Sequence, residues 1–182
     1  MKRLSFVVLA AATLCAARSA SAQLAQPGIE YPRSDTRGWT LGVSVLGSTI
    51  PPGVAPSGVN SGVGMGAAAG YGLNNHLSLF ARGDMAYHVS HVDVGARYSL
   101  GSPESRLRPY LEGALTRTGV RYPQGLSFNV VGLTGGAGVQ YFVRRNLALD
   151  VGAVHSFGKI NSNSLSGAFP TTRLSVGFNW HP

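Results

Sequence analysis

Between Ser61 and Gly72 the sequence reads SGVGMGAAAGYG, and its smallest residues fall at every second position. Gly62, Gly64, Gly66, Ala68, Gly70 and Gly72 share one parity, while Val63, Met65, Ala67, Ala69 and Tyr71 share the other. A period of two sends successive side chains to opposite faces of an extended chain, so this stretch reads as a β-strand with one nearly bare face. Gly64, Gly66 and Gly70 also spell G-x-G-x-x-x-G, similar to a phosphate-cradling turn. Such a turn needs a hydrophobic strand before it and a helix after it. Here a loop, IPPGVAPSGVN, precedes the glycines and a tight turn, LNNH, follows them, so the context excludes a nucleotide site.

The same alternation recurs along the chain. Apolar Trp39, Leu41, Val43 and Val45 alternate with Thr40, Gly42 and Ser44. Leu77, Leu79, Ala81 and Met85 alternate with Ser78, Phe80, Arg82 and Asp84, and Val92, Val94, Ala96 and Tyr98 with Asp93, Gly95, Arg97 and Ser99. Leu111 and Leu115 alternate with Tyr110, Glu112 and Thr116, and Val131, Leu133, Val139 and Tyr141 with Gly132, Thr134, Gly138 and Gln140. Leu147, Leu149 and Val151 alternate with Ala148, Asp150 and Gly152, and Leu174, Val176, Phe178 and Trp180 with Arg173, Ser175, Gly177 and Asn179. With the opening stretch these make eight strands, and no window outside the N-terminus has a helical period. The connections STIPPGVAPSGVN, VRYPQGLSFN and KINSNSLSGAFP read as long loops, and LNNH and VRRN as tight turns.

The N-terminus sets the compartment. Lys2 and Arg3 precede an apolar run from Leu4 to Ala17, followed by Ala20-Ser21-Ala22. This is the three-part pattern of a secretory signal peptide, expected to be cleaved after Ala22, with a run too short to span a bilayer as a helix. The expected organisation is therefore a signal peptide at 1–22, a short periplasmic segment at 23–37 and a barrel at 38–182. The single cysteine, Cys15, leaves with the signal, which removes disulfide and thiolate chemistry from the mature chain. Of fifteen basic residues, Lys2, Arg3 and Arg18 leave as well, so twelve remain against seven acidic ones, a net charge of +5. An exported basic chain meets anionic lipid and lipopolysaccharide rather than nucleic acid.

Which face of these strands is buried follows from what the polar face carries. No Asp, Glu, Lys or Arg occurs from Gly38 to Ala81, yet Pro51, Pro52, Pro56 and the glycines forbid a transmembrane helix there. On a soluble barrel the polar face would be outside and rich in Lys and Glu. Instead it mixes small residues with Arg82, Asp84, Asp93, Arg97, Glu112, Asp150 and Arg173, three positive charges against four negative. That balance suits a narrow interior where charges must pair. The apolar face carries Trp39, Tyr71, Tyr87, Tyr98, Tyr141, Phe178 and Trp180 near its turns, as the aromatic girdles of a membrane barrel require. Because only closed barrels and helices satisfy their backbone in lipid, the eight strands should close into an antiparallel up-and-down transmembrane β-barrel.

Two segments, GAAAGYGLNNHLSLFARGD and GGAGVQYFVRRNLALDVGA, are similar hairpins: glycine-rich strand, aromatic residue, tight turn with Asn74 or Asn146, then alternate leucines. Together with RPYLEGAL and a last strand ending LSVGFNW, they make the chain resemble the small outer-membrane β-barrel family of OmpA/OmpX type. The resemblance covers essentially the whole mature chain. It implies residence in the outer membrane of a Gram-negative bacterium, a monomer, and handling by the outer-membrane assembly machinery. Phe178 and Trp180 resemble the C-terminal aromatic signal that machinery reads, although His181 and Pro182 follow them. The longer relatives add a peptidoglycan-binding domain, and that activity is not implied here.

Candidate chemistry is sparse, and neither a catalytic residue nor a cofactor or metal site is expected. His88 and His91, three apart, point to opposite faces and are expected at the extracellular rim without further metal ligands. His155 and Ser156 would suggest the serine–histidine site of a lipid A-modifying enzyme. Adjacent residues on a strand face opposite ways, however, so His155 cannot activate Ser156. The inner cluster of Arg82, Asp84, Asp93, Arg97, Glu112, Gln140, Asp150 and Arg173 either pairs structurally or lines a small ion path. Eight strands leave no broad pore. Arg117, Arg121 and Lys159 fall towards the extracellular loops, where lipopolysaccharide would be met, and Arg106, Arg144 and Arg145 towards the periplasmic turns. The expected role is membrane integrity or surface interaction through the extracellular loops, with an unidentified host or surface ligand. A small channel and a lipid A-modifying enzyme are the alternatives.

Overall fold

The computed structural model describes residues 36–50, 61–121, 127–162 and 165–182. The expected signal peptide, most of the periplasmic segment and the centres of three expected loops lie outside the described residues. Eight antiparallel strands form one closed barrel, each paired with its neighbours in sequence and β1 with β8. They are β1 Gly38–Thr49, β2 Ser61–Gly72, β3 Leu77–Ala86, β4 Val89–Ser99, β5 Leu107–Arg121, β6 Ser127–Arg144, β7 Leu147–Ser162 and β8 Leu165–Trp180.

The register fixes the shape of the barrel. From Arg117, successive hydrogen-bonded partners run through Val92, Gly83, Ala67, Val43, Phe178, Leu149 and Tyr141 to Leu107, ten residues lower on the strand where the path began. With about 3.3 Å per residue and about 4.8 Å between strands, that stagger tilts the strands by about 40°. Ten residues along such a strand climb about 25 Å, the height of an outer-membrane hydrophobic band.

The outward face matches that height. Trp39, Val43, Met65, Leu79, Val94, Leu115, Leu133, Val151, Leu174 and Val176 are exposed. At the end where the chain enters, Trp39, Tyr71, Tyr98, Tyr141 and Trp180 form a ring, with Trp39 and Tyr71 edge-to-face at 5.4 Å. Only hydrocarbon makes such a surface stable. The end bearing the ring and the short turns is the periplasmic side, and the opposite end is extracellular.

The inner face is lined as the alternation requires, and glycine is used where neighbours need the space. A Cβ on Gly66 would run into the Asp84 carboxylate, and one on Gly138 into the Tyr110 ring. β5 to β8 are longer than β1 to β4, so one side of the extracellular rim stands higher. This corrects one sequence expectation. Most of KINSNSLSGAFP is strand, with Lys159 paired to Ala168 and Phe157 to Pro170. Pro170 fits because the β1–β8 ladder ends at Thr49 and Thr172, so its missing N–H faces no partner strand.

Candidate functional site

All eight polar residues of the expected inner cluster point into the barrel, and seven of them form one network. Arg82 on β3 donates from Nη2 to Asp93 on β4 at 2.7 Å and from Nη1 to Glu112 on β5 at 2.8 Å, with Asp84 at 3.5 Å. Arg97 on β4 donates to Glu112 and to Asp150 on β7, both at 2.8 Å. Arg173 on β8 reaches Asp84 at 2.6 Å and Asp93 at 2.8 Å, and its Nη2 donates to Ser156 Oγ at 3.3 Å. Asp84, Asp93 and Glu112 are each shared by two arginines. The result is a ladder that crosses the lumen and ties β3, β4, β5, β7 and β8 together. Gln140 is buried beside its periplasmic end.

Neutral donors reach two of the carboxylates. The Tyr110 hydroxyl and Asn179 Nδ2 each donate to Asp150 at 2.8 Å, and Thr116 donates to Asp93. The Arg97 guanidinium also stacks over the Tyr110 ring, 3.8 Å from its centroid. Every carboxylate of the ladder therefore meets a guanidinium and, for Asp93 and Asp150, a hydroxyl or amide as well. This is the condition under which buried charge is tolerated.

Sequence reasoning missed three features of the lumen. Arg108 is fully buried at the periplasmic mouth, where it donates to Thr36 Oγ1 and to the Asn75 carbonyl. It raises the inward arginines among the described residues to four, equal to the inward carboxylates. Its parity with Tyr110 and Glu112 was the available signal. His91 is a correction: it is not at the rim but inside the barrel, 1% exposed, sharing a 3.0 Å hydrogen bond with Thr118. It shares the inward parity of Asp93, which outweighs its nearness to the β3–β4 turn. The third feature is an apolar seal. Ile50, Val89, Val120, Val130 and Phe169 meet inside the extracellular end, with Phe128 packed against them. The Phe128 and Phe169 rings lie edge-to-face at 5.7 Å.

Among the described residues, both the seal and the ladder lie across the lumen. A cavity of about 60 Å³ lies on the periplasmic side among Thr40, Ser78, Ser99, Gln140, Asn179 and His181. No cluster of three metal-ligating side chains occurs among the described residues. His155 and Ser156 take opposite faces. The His155 ring packs against outward-facing Phe157 at 4.3 Å and bonds Thr172, whereas Ser156 is 2% exposed inside and bonds Thr134 at 2.6 Å. Phe178 and Trp180 lie on the outer face at the periplasmic end of β8, both about half exposed.

Known proteins share this architecture. The N-terminal barrel domain of Pseudomonas aeruginosa OprF superposes with a TM-score of 0.56 at 19% identity, over 78% of this chain and 97% of that one. Neisserial surface protein A gives a TM-score of 0.59 at 21% identity, over 80% and 97%. OprG of Pseudomonas aeruginosa gives 0.54 at 11% identity, over 82% and 99%. At these identities the likeness is one of fold. No curated protein matches the chain. The family model of the outer membrane protein beta-barrel domain matches residues 6–181, nearly the whole sequence. With that match, a closed eight-stranded barrel and a lipid-facing apolar band, the chain belongs to the outer-membrane β-barrel family and resides in the outer membrane.

Proposed function

We propose that the protein is a structural element of the outer membrane, supporting envelope integrity and meeting other surfaces through its extracellular end. The observation that carries this reading is the filled lumen. An ion ladder and an apolar seal occupy the interior, which leaves the outer face and the extracellular loops as the parts available to partners. A monomer is the reading that the apolar band carried by all eight strands supports. Phe178 and Trp180 are read as the assembly signal on the strand that closes the barrel against β1.

We read the protein as non-enzymatic. Ser156 donates or accepts only within the lumen, and His155 faces lipid on the other side of the sheet, so no nucleophile and base meet there. A channel role finds less support, because an ion would have to displace both the seal and at least one doubly shared carboxylate.

The test is a strain lacking the gene. Loss of the protein should increase entry of detergents and large antibiotics, and the wild-type gene should restore the barrier. An unchanged barrier sinks the integrity reading. Steady conductance of the purified barrel in planar bilayers would favour the channel instead.

A further inference from the structure

Neither the ladder nor the seal accounts for the cavity on the periplasmic side. Its volume of about 60 Å³ is several times the roughly 10–15 Å³ that one water requires, so it has room for about four water-sized atoms. Ser78, Ser99, Gln140 and Asn179 line this vestibule together with Arg82 and Arg97. Two of these side chains are buried without a partner. Gln140 is 4% exposed and Ser99 6%, yet neither the Gln140 amide nor the Ser99 hydroxyl hydrogen-bonds a described residue. Ser99 spends only its backbone, on His76: its carbonyl accepts from Nδ1 at 3.0 Å and its N–H donates to the His76 carbonyl at 2.7 Å. Buried polar groups of this kind are met by something that can hydrogen-bond, and here both face the same cavity.

The chemistry of the wall selects an anion. A guanidinium has five N–H donors and no acceptor. Arg82 gives three of them to Asp93 and Glu112, and Arg97 gives three to Glu112 and Asp150, so each keeps two. The Arg82 and Arg97 side chains stay 12% and 16% exposed, whereas those of Asp93 and Glu112 are almost wholly buried. Among the described residues no carboxylate lines the cavity, so the ladder shows the vestibule its cations. Asp150, which Asn179 of the wall contacts, is already engaged by Arg97 and the Tyr110 hydroxyl. Thr36 belongs to the same wall, and behind it Arg108 is fully buried, hydrogen-bonding only Thr36 Oγ1 and the Asn75 carbonyl. That cation has no carboxylate partner among the described residues, which adds positive charge at the mouth. Buried guanidiniums gain more from a charged acceptor than from water, since charge-assisted hydrogen bonds are about twice as strong as neutral ones.

We propose that the vestibule binds one small oxyanion from the periplasm, of the size and charge of inorganic phosphate. Arg82 and Arg97 take its charge with the N–H groups that the ladder leaves them, and the Gln140 amide and Ser99 hydroxyl donate to its other oxygens. Room for about four water-sized atoms matches the four oxygens of a tetrahedral ion and excludes a larger solute. The inference goes beyond a structural role. It makes the periplasmic end of the barrel a binding site, while the apolar seal keeps that site separate from the extracellular end.

Isothermal titration calorimetry of the purified full-length barrel in non-ionic detergent tests this, at constant ionic strength set by chloride. The probes are inorganic phosphate, sulfate and sn-glycerol 3-phosphate. Wild-type protein should bind one equivalent of phosphate or sulfate, and the bulkier ester about tenfold more weakly. Gln140→Leu removes an unpartnered donor without touching the ladder and should weaken phosphate binding about tenfold, and Ser99→Ala about fivefold. The double variant R144Q/R145Q, at the exposed β6–β7 turn, should bind phosphate as the wild type does. No saturable heat on the wild type overturns the proposal and leaves the vestibule to water. Undiminished binding by both Gln140→Leu and Ser99→Ala overturns it as well, and loss of binding in R144Q/R145Q would place the ion on the surface instead. Equal or tighter binding of the ester overturns the assignment to a free ion. If Gln140→Leu does not fold, as judged by heat-modifiable gel mobility, Ser99→Ala and the turn variant decide by the same criteria.

Discussion

Replacing Arg82 with methionine is the most direct assault on the ladder. Arg82 is the hub, since its guanidinium lies 2.7 Å from Asp93, 2.8 Å from Glu112 and 3.5 Å from Asp84. Methionine keeps much of the stem volume, so the loss is almost purely electrostatic. Asp93 retains Arg173 and Thr116, and Glu112 retains Arg97. Neither carboxylate is abandoned, but the seven-member network moves from one net negative charge to two in a largely buried space. Removing one partner of a buried ion pair costs about 3–5 kcal/mol, and the remaining partners place this case near the lower end, about 3 kcal/mol. The assay is urea unfolding of the barrel in lipid vesicles, followed by the fluorescence of Trp39 and Trp180. A cycle with E112Q supplies the decisive number. Once Glu112 is neutral, Arg82→Met should cost about 1–2 kcal/mol less, because the repulsion it releases has been removed in advance. A loss under about 1 kcal/mol for Arg82→Met, or strict additivity in the cycle, would refute the claim that the lumen is held by charge pairing.

Further outcomes follow from the same geometry. Gly66→Trp should block assembly, because any side chain there collides with Asp84 and comes within 3.0 Å of Ser44, whereas Ala67→Trp points to lipid and should assemble normally; the fraction of heat-modifiable protein after refolding compares them. Phe169→Ser removes the largest member of the extracellular seal, and it should produce brief openings in planar bilayers where the wild type is silent. Tyr87 has φ +49° in the β3–β4 turn, a left-handed conformation in which asparagine is better tolerated. Tyr87→Asn should therefore raise unfolding stability by about 0.5–1 kcal/mol in the vesicle assay, and a loss of stability would show that the Tyr87–His88 ring contact outweighs the backbone strain.

The strands were legible because a membrane barrel has two faces with different solvents. Each of Trp39, Met65, Leu79, Val94, Leu133, Val151 and Val176 announces its face by parity alone, and the inward charges announce theirs by the same rule. Ends were less legible, since they depend on partners far away in sequence. Asn161, Ser162, Gly167 and Pro170 carry turn chemistry locally, yet pairing of β7 with β8 holds that segment extended. The seal was invisible for the same reason. Ile50, Val89, Val120, Val130 and Phe169 come from five strand ends, and nothing in any one segment says that they converge.

The distribution of charge links the two surfaces of the barrel. A chain with so few acidic residues could have spread them over its outer rim, where each would pair with a neighbouring cation. Instead four carboxylates are fixed inside against four arginines, and this leaves Arg117, Arg121 and Lys159 facing outward with no described carboxylate beside them. Interior pairing and exterior charge are therefore one design. Neutralising the lumen internally is what allows the extracellular edge to stay cationic next to an anionic leaflet. Moving one carboxylate from inside to outside, as in Glu112→Gln with Val131→Glu, would harm both at once: Arg97 and Arg82 would each lose a partner, and the new carboxylate would sit between Arg117 and Lys159.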